Sequence, residues 1–183
     1  MTSESELIEG HQDYEALIEP IADQMMRSVW SVTQNADDAE EAFQEALSVV
    51  WRKLKRVQCH PNPHALILRI CINSAYDVLR KKIRRQRREA LANIHTIAPP
   101  RTPSDAAAMK EQESAIFRAI SRLSRNQSLA VTLRLVQGKS YGDIAKVLGC
   151  RDVTARKHVA RGRARLREIL APIASHLTEE CHD

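Results

Sequence analysis

The chain has 183 residues, 43% of them apolar and 4% aromatic, with five glycines, seven prolines and a formal net charge of +5. That length allows one ordinary domain or two small ones, and so few glycines and prolines exclude an all-β fold dense in tight turns. Residues that favour helices dominate nearly every segment, which predicts an all-α fold built on aliphatic packing.

The modest net charge conceals a division. Residues 1–50 hold twelve acids and one base, Arg27, a net of −11, whereas the other 133 residues hold eleven acids and twenty-seven bases, a net of +16. Such a chain is expected to meet two kinds of partner, a basic protein surface and a polyanion. Taken singly, each run reads equally well as a solvated face. Cys59, Cys71, Cys150 and Cys181 show no C-x-x-C spacing, and no apolar stretch resembles a signal peptide or a membrane span. A reducing, cytoplasmic setting is the natural expectation. The groupings Cys59, His60, His64 and Cys181, His182 lack the paired spacing of a zinc site, so no metal and no cofactor is expected.

The first ten residues are polar and read as loose. From His11 to Val32, apolar residues recur every three or four positions, as on one helix face. Asn35 to Asp37 reads as a turn and helix cap, followed by an acidic helix to about Val57. Pro61 and Pro63 exclude a helix across Gln58–Pro63. A long helix then runs from His64 into Arg80–Arg88, where seven of nine residues are basic. Such a density of bases supplies sequence-independent attraction to phosphate. Upstream, Arg69, Asn73, Tyr76 and Asp77 are placed to meet base edges or a displaced strand.

The segment 93–108 carries three prolines within seven residues and reads as a linker. It divides the chain into residues 1–92 and residues 109–183. Helices are predicted over Met109–Leu123 and Gln127–Gln137, and Pro172 is expected to end or kink the last one. Between them lies a helix-turn-helix pattern. Ser140 to Asp143 fits a capping box, Ala145 is small where helices cross, and Gly149 suits a turn of positive φ. Asp152 is expected to cap the second helix, whose stripe Ala155, Val159, Leu166 and Leu170 faces inward. Thr154, Arg156, Lys157, Arg161 and Arg163 fall on the opposite face, with Arg165 and Arg167 beyond. The arginine fork matches guanine O6 and N7, which suits this helix to the major groove. The last of these arginines are better placed for phosphates.

These stretches together resemble the extracytoplasmic-function (ECF, group 4) sigma factors of the sigma-70 family. Asp38-Ala39-Glu40-Glu41-Ala42-Phe43-Gln44-Glu45 through Trp51 is similar to region 2.2, Arg69 through Asn73 and Asp77 to Arg80 to region 2.4, and Gly138 to Arg167 to region 4.2. The resemblance implies a subunit that directs core RNA polymerase to promoters. Asp38, Glu41, Gln44, Glu45 and Ser48 would dock on the coiled coil of the polymerase β′ subunit, with Phe43 and Trp51 packing inside. His60, Asn62, Arg69, Asn73, Asp77, Arg80 and Arg84 would meet the −10 element, where a base is turned out of the stack. Ser140, Tyr141, Thr154, Arg156, Lys157, Arg161 and Arg163 would meet the −35 element, with the second domain resting on the β flap. Implied partners are core polymerase, promoter DNA and, in many members, an anti-sigma factor, with no small-molecule substrate. The chain departs from the family at Leu66, where tryptophan is common, at Ser124 and Ser128, usually proline and arginine, and at Val153-Thr154-Ala155, usually Gly-Thr-Val. A helix-turn-helix regulator with an N-terminal sensing domain would account for the C-terminal half, but not for the acidic helix or the bases at 80–88. An enzyme acting on DNA would need a nucleophile or a carboxylate cluster, and none stands out.

Overall fold

The computed structural model describes residues 4–92 and 115–179, and among these it contains helices and turns without a strand. In chain order the helices are α1 (Glu4–Ile18), α2 (Ala22–Thr33), α3 (Ala36–Arg52), α4 (Leu54–Gln58), α5 (Pro63–Ala92), α6 (residues 115–121), α7 (Arg125–Val131), α8 (Tyr141–Leu148) and α9 (Asp152–Glu179). The expected linker at 93–108 lies outside the described residues, as does the start of the helix predicted from Met109.

Local chemistry explains most of the boundaries. α1 already includes Glu4, the first described residue, although the polar composition of the first ten residues suggests a loose segment. The single helix expected over His11–Val32 is interrupted at Pro20, which lacks an amide hydrogen; the chain tightens into a 3-10 turn at Glu19–Ile21 before α2 resumes. α2 ends on Gln34 at φ 50°, a left-handed conformation uncommon for a residue with a side chain. Asn35 then caps α3, its side-chain oxygen accepting the Asp38 amide at 3.0 Å. α3 stops at Arg52, short of Val57, because Lys53 leaves helical geometry (φ −114°, ψ 18°) and α4 begins afresh. Pro63 opens α5, where its missing N–H costs nothing, and the Asn62 side chain accepts the Ala65 amide at 3.0 Å.

α5 packs against both α2 and α3. α3 contributes the small residues Ala39, Ala42 and Ala46 with Val50, all buried, so the two axes can approach closely. Met25, Val29 and Val32 of α2 and Ile67, Cys71, Ile72 and Ala75 of α5 complete this core. Burial pushes the Cys71 thiol up to about 12, which makes it a packing residue rather than a reactive one. Phe43 packs against the core as expected. Trp51 does so less: it stays 41% exposed, with ring edges of His11 and Tyr14 against it.

In the second half, α9 packs against α7 and α8. Its inward stripe is the expected one, with Ala155, Val159 and Leu166 buried and Leu170 partly so. α7 widens into a π turn over Thr132–Val136 and ends on Gly138 at φ 66°. Gly149, at φ 63°, turns the chain from α8 toward α9 as its position in the sequence suggests. Two expectations for α9 need correction. Asp152 is its first helical residue rather than its cap, since Arg151 O accepts the Thr154 and Ala155 amides, and the Asp152 carboxylate turns instead to Arg156. Pro172 does not end the helix, which continues to Glu179 although proline forfeits an amide hydrogen there.

The two halves form one continuous buried cluster. α5 lies against α7 and α8, and the Tyr76 and Thr132 hydroxyls hydrogen-bond across the contact. Within the second half α9 approaches α7 closely at Gly162, where an added Cβ would lie 2.5 Å from Val131 Cγ2. Val131 is fully buried and stiff at χ1, so it cannot swing aside. Gly162→Ala gains up to about 1 kcal/mol of helix propensity but overpacks at a cost of about 1–3 kcal/mol. A net loss of about 1 kcal/mol is therefore expected in urea unfolding. Equal or greater stability would mean that α7 and α9 sit farther apart in solution.

Candidate polymerase and nucleic-acid interfaces

The acidic face of α3 stands largely free. Glu41, Gln44, Glu45 and Ser48 are exposed, while Asp38 is partly covered because the Lys82 ammonium of α5 bonds its carboxylate. Glu41 lies 3.9 Å from Lys81, and Glu45 lies 3.6 Å from Arg52. Exposed pairs of this kind are worth little and exchange readily for a partner's charges. The face is therefore an acidic strip edged by the chain's own bases, with Asp38 the member already committed.

The loop before α5 has a local structural role. His60 Nδ1 lies 2.8 Å from Asn62 O and 3.1 Å from Asn62 N, and the Asn62 side chain is the cap described above. Its amide oxygen is thereby spent on the helix rather than offered to a ligand. Along α5, Asn73 opens onto a groove of about 400 Å³ that also meets Glu45, Asp77, Lys81, Arg84 and Arg125. Arg84 is exposed and donates to Arg80 O at 3.3 Å.

The remaining α5 candidates face the second half. Arg69 Nη1 donates to Leu148 O at 3.1 Å, and Arg80 Nε donates to Ser121 O at 2.9 Å. Arg80 also spans the Tyr76 ring at 5.7 Å and pairs with Asp77 at 3.3 Å. Asp77 in turn receives Arg125 at 2.7 Å. Burial pushes the Tyr76 phenol above its ordinary range, against the opposing effects of the Thr132 bond and of Arg80. The sequence places Arg69, Tyr76, Asp77 and Arg80 in line for a nucleic-acid strand; in this conformation they are turned to protein.

The helix-turn-helix presents its basic face outward. Thr154, Lys157, Arg161 and Arg163 are exposed. Ser140 caps α8, its Oγ accepting the Asp143 amide at 3.1 Å and donating to the Asp143 carboxylate at 2.6 Å. The carboxylate thus reaches the cap through its hydroxyl. Tyr141 is held between two guanidinium groups, Arg156 at 4.4 Å and Arg134 at 4.8 Å from the ring centroid. Arg156 is further pinned to Asp152 at 2.8 Å, which raises its pKa. Arg134 is fixed by a bond to Lys139 O at 3.0 Å. Sequence reasoning passed over Arg134, which only the π turn brings under Tyr141, and over Val153. The latter is 62% exposed at the start of α9, an apolar side chain suited to a thymine methyl. Its exposure was readable from its place on the helix face. Among the described residues no group of three or more His, Cys, Asp or Glu is arranged to hold a metal, and no helix is long and apolar enough to cross a membrane. Cys181 and His182 lie outside the described residues.

Comparison with known proteins finds two family profiles along the chain. The profile of Sigma-70 region 2 matches residues 17–88, and that of Sigma-70, region 4, matches residues 113–166. The chain is 29% identical over 147 residues to the ECF RNA polymerase sigma factor SigM of Mycobacterium tuberculosis, covering 80% of this chain and 71% of that protein. It is 28% identical to the RNA polymerase sigma-H factor of Pseudomonas aeruginosa, covering 76% of each. Among solved structures, the sigma factor RpoE in complex with the anti-sigma factor NepR from Bartonella quintana aligns with a TM-score of 0.51 at 25% identity, over 87% of this chain and 98% of that one. CnrH in complex with the cytosolic domain of CnrY gives the same TM-score at 16% identity over 90% of this chain and 96% of that one, a likeness of fold.

The Ser140 cap yields a pH-dependent test. The Ser140 hydroxyl holds the Asp143 carboxyl below its ordinary pKa, so the stabilisation is complete above the unfolded aspartate value and is lost as pH falls through the lower, folded value. Ser140→Ala is expected to cost about 1 kcal/mol at neutral pH. The deficit should narrow as pH falls below the ordinary aspartate value of about 3.9 and the carboxylate is protonated, leaving only the amide bond to Ser140 Oγ to be lost. A deficit independent of pH in urea titrations would mean that the carboxylate contributes nothing.

Proposed function

We propose, for a chain that belongs to the sigma-70 family and within it to the ECF sigma factors, a division of promoter-directed initiation among three of its surfaces. The protein directs core RNA polymerase to promoters and initiates transcription there. The observation that carries the division is the presence, in one chain, of a region 2 match over the acidic α3 and basic α5 and a region 4 match over the helix-turn-helix. A free-standing regulator has no use for the first. The sigma-70 family is not an enzyme family, and we read this chain as a non-catalytic subunit.

In this reading, residues 1–92 form the docking and −10 unit, 93–108 the linker, and 109–183 the −35 unit. The exposed Glu41, Gln44, Glu45 and Ser48 dock on the β′ coiled coil, with Asp38 shared between that partner and Lys82. The basic stretch of α5 attracts the promoter backbone, and Asn73 with Arg69, Asp77, Arg80 and Arg84 contacts the opened −10 strand. His60 and Asn62 are retained as shaping the loop beside the flipped base. α9 enters the major groove at −35: Arg156 and Arg161 read guanine edges, while Ser140, Tyr141 and Arg163 meet phosphates. The complex of RpoE with NepR supports a further partner of the anti-sigma kind.

Two variant sets test the assignments. Glu41→Lys with Glu45→Lys should weaken binding to core polymerase roughly tenfold or more, while the fold stays within about 0.5 kcal/mol because both sites are exposed. Co-elution with core at wild-type strength would remove α3 as the docking surface. Arg156→Ala and Arg161→Ala should each lose about 1–3 kcal/mol of −35 discrimination in holoenzyme binding, leaving core affinity intact. Unchanged preference among −35 variants would remove α9 as the reading helix.

A further inference from the structure

Val153 is the most exposed of the large apolar side chains among the described residues, at 62%. It is the second residue of α9, and it takes no part in the core that Ala155, Val159 and Leu166 enter from the same helix. Nothing in the fold asks for it. A β-branched residue is a weaker helix former than a straight-chain one, and the residues exposed around it, Arg151, Thr154, Arg156 and Lys157, are all polar. A lone valine on a surface needs no explanation; this one is set apart by the arginine beside it.

Val153 and Arg156 are three residues apart and share a helix face, where Cβ atoms lie about 5–6 Å from one another. The Asp152 carboxylate, 2.8 Å from Arg156 Nε, draws the guanidinium back toward the first turn, and the Tyr141 ring of α8 lies 4.4 Å from it. Valine and guanidinium are thus presented together on the first turn of α9, the part of a recognition helix that meets base edges in the major groove. Base pairs follow one another at about 3.4 Å, so two groups at that separation address base pairs one or two steps apart. Along the major-groove edges the 5-methyl of thymine offers an apolar surface, among hydrogen-bond donors and acceptors. A valine pressed on one of those polar groups would strip it of water without returning a bond.

We infer that Val153 is a specificity-determining residue, which selects a thymine through its 5-methyl group within two base pairs of the guanine taken by Arg156. Its discrimination has two parts, attraction to the methyl and rejection of the polar edges. The inference rests on the assignment of α9 to the −35 element and deepens it.

The test uses the full chain in holoenzyme with core polymerase. Duplexes with randomised −35 sequences are selected by the wild type and by Val153→Ser, and deoxyuridine, which lacks only the methyl, then replaces single thymines in the selected sites. The wild type should enrich a thymine within two base pairs of a guanine. Replacing that thymine with deoxyuridine should lower its affinity about three- to fivefold, the worth of one buried methyl. Val153→Ser should select the guanine without the thymine and bind the two duplexes equally, with core affinity and helicity unchanged, since serine suits the start of a helix. Equal sensitivity to deoxyuridine in both proteins overturns the proposal. So does sensitivity that is lost in Thr154→Ser, which removes a neighbouring methyl, and kept in Val153→Ser. If Val153→Ser loses helicity, Val153→Ala replaces it and is judged by the same outcomes. Arg156→Ala separates the two readings. If it keeps the wild-type guanine preference, the assignment of Arg156 fails and the thymine reading with it. If it loses that preference while Val153→Ser stays sensitive to deoxyuridine, only the role of Val153 fails.

Discussion

Everything in this molecule depends on α5 having to satisfy two cores. One side of the helix is buried by α2 and α3 through Ile67, Cys71, Ile72 and Ala75, while Tyr76 and Arg80 turn to the second half. A helix buried on two sides carries polar residues only where each has a partner. Tyr76 has Thr132, Arg80 has two carbonyls and Asp77, and among the described residues no buried side-chain polar atom lacks a hydrogen bond. The same residue types that could recognise a nucleic-acid strand are therefore what make the second contact possible.

The division of charge along the chain acts at short range as well as long. The acidic α3 lies beside the basic continuation of α5, so that Lys82 meets Asp38 and Lys81 approaches Glu41. Beyond the Debye length of about 8–10 Å such pairs are invisible, and their modest worth leaves Glu41 and Glu45 free for a basic partner. At the far end of α5, Arg84, Arg85, Arg87 and Arg88 remain exposed, and among the described residues Arg85 alone of these four has an acid at ion-pair distance, Glu89 at 2.8 Å. A phosphate backbone finds there a cationic helix end on which little pairing must be undone.

What the sequence disclosed follows from how local each signal is. Ser140, Ala145 and Gly149 act within a few residues of themselves, so the helix-turn-helix is legible in the pattern of residues alone, down to the positive φ at Gly149. The acidic and buried faces of α3 are equally plain, since periodicity alone separates them. Breaks that depend on a single residue were missed: Pro20, whose interruption of an apolar stripe leaves the stripe intact, and Lys53, which has no turn chemistry of its own. Pro172 misled in the opposite direction, because one forfeited bond does not outweigh the rest of a 28-residue helix. The carbonyls of Ser121, Leu123 and Leu148 carry no side-chain signature at all, so the closure of the two halves was beyond any reading of pattern. So was the Arg134–Tyr141–Arg156 stack, which needs the π turn to bring Arg134 under the ring.

The contacts that hold Arg156 and those that join the two halves differ in kind. Arg156, although held by Asp152 and Tyr141, gives up an exposed pair worth about 0.2–1 kcal/mol and a cation–π contact of about 0.5–1 kcal/mol. Under the proposed reading, a bidentate guanine contact would return about 1–3 kcal/mol in discrimination, so the pinning would aim the guanidinium more than withhold it. The seam is different in kind. Its hydrogen bonds contribute about 0.5–1.5 kcal/mol each, and they act together with the burial of Tyr76, so they must be lost as a set. A set of weak contacts broken in concert is a cooperative switch, whereas the same contacts broken one at a time would be a gradual loosening. The bonds join Ser31 and residues 69–80 to residues 121–148, far apart in sequence, so they belong to the packing of the two halves rather than to the geometry of any one helix.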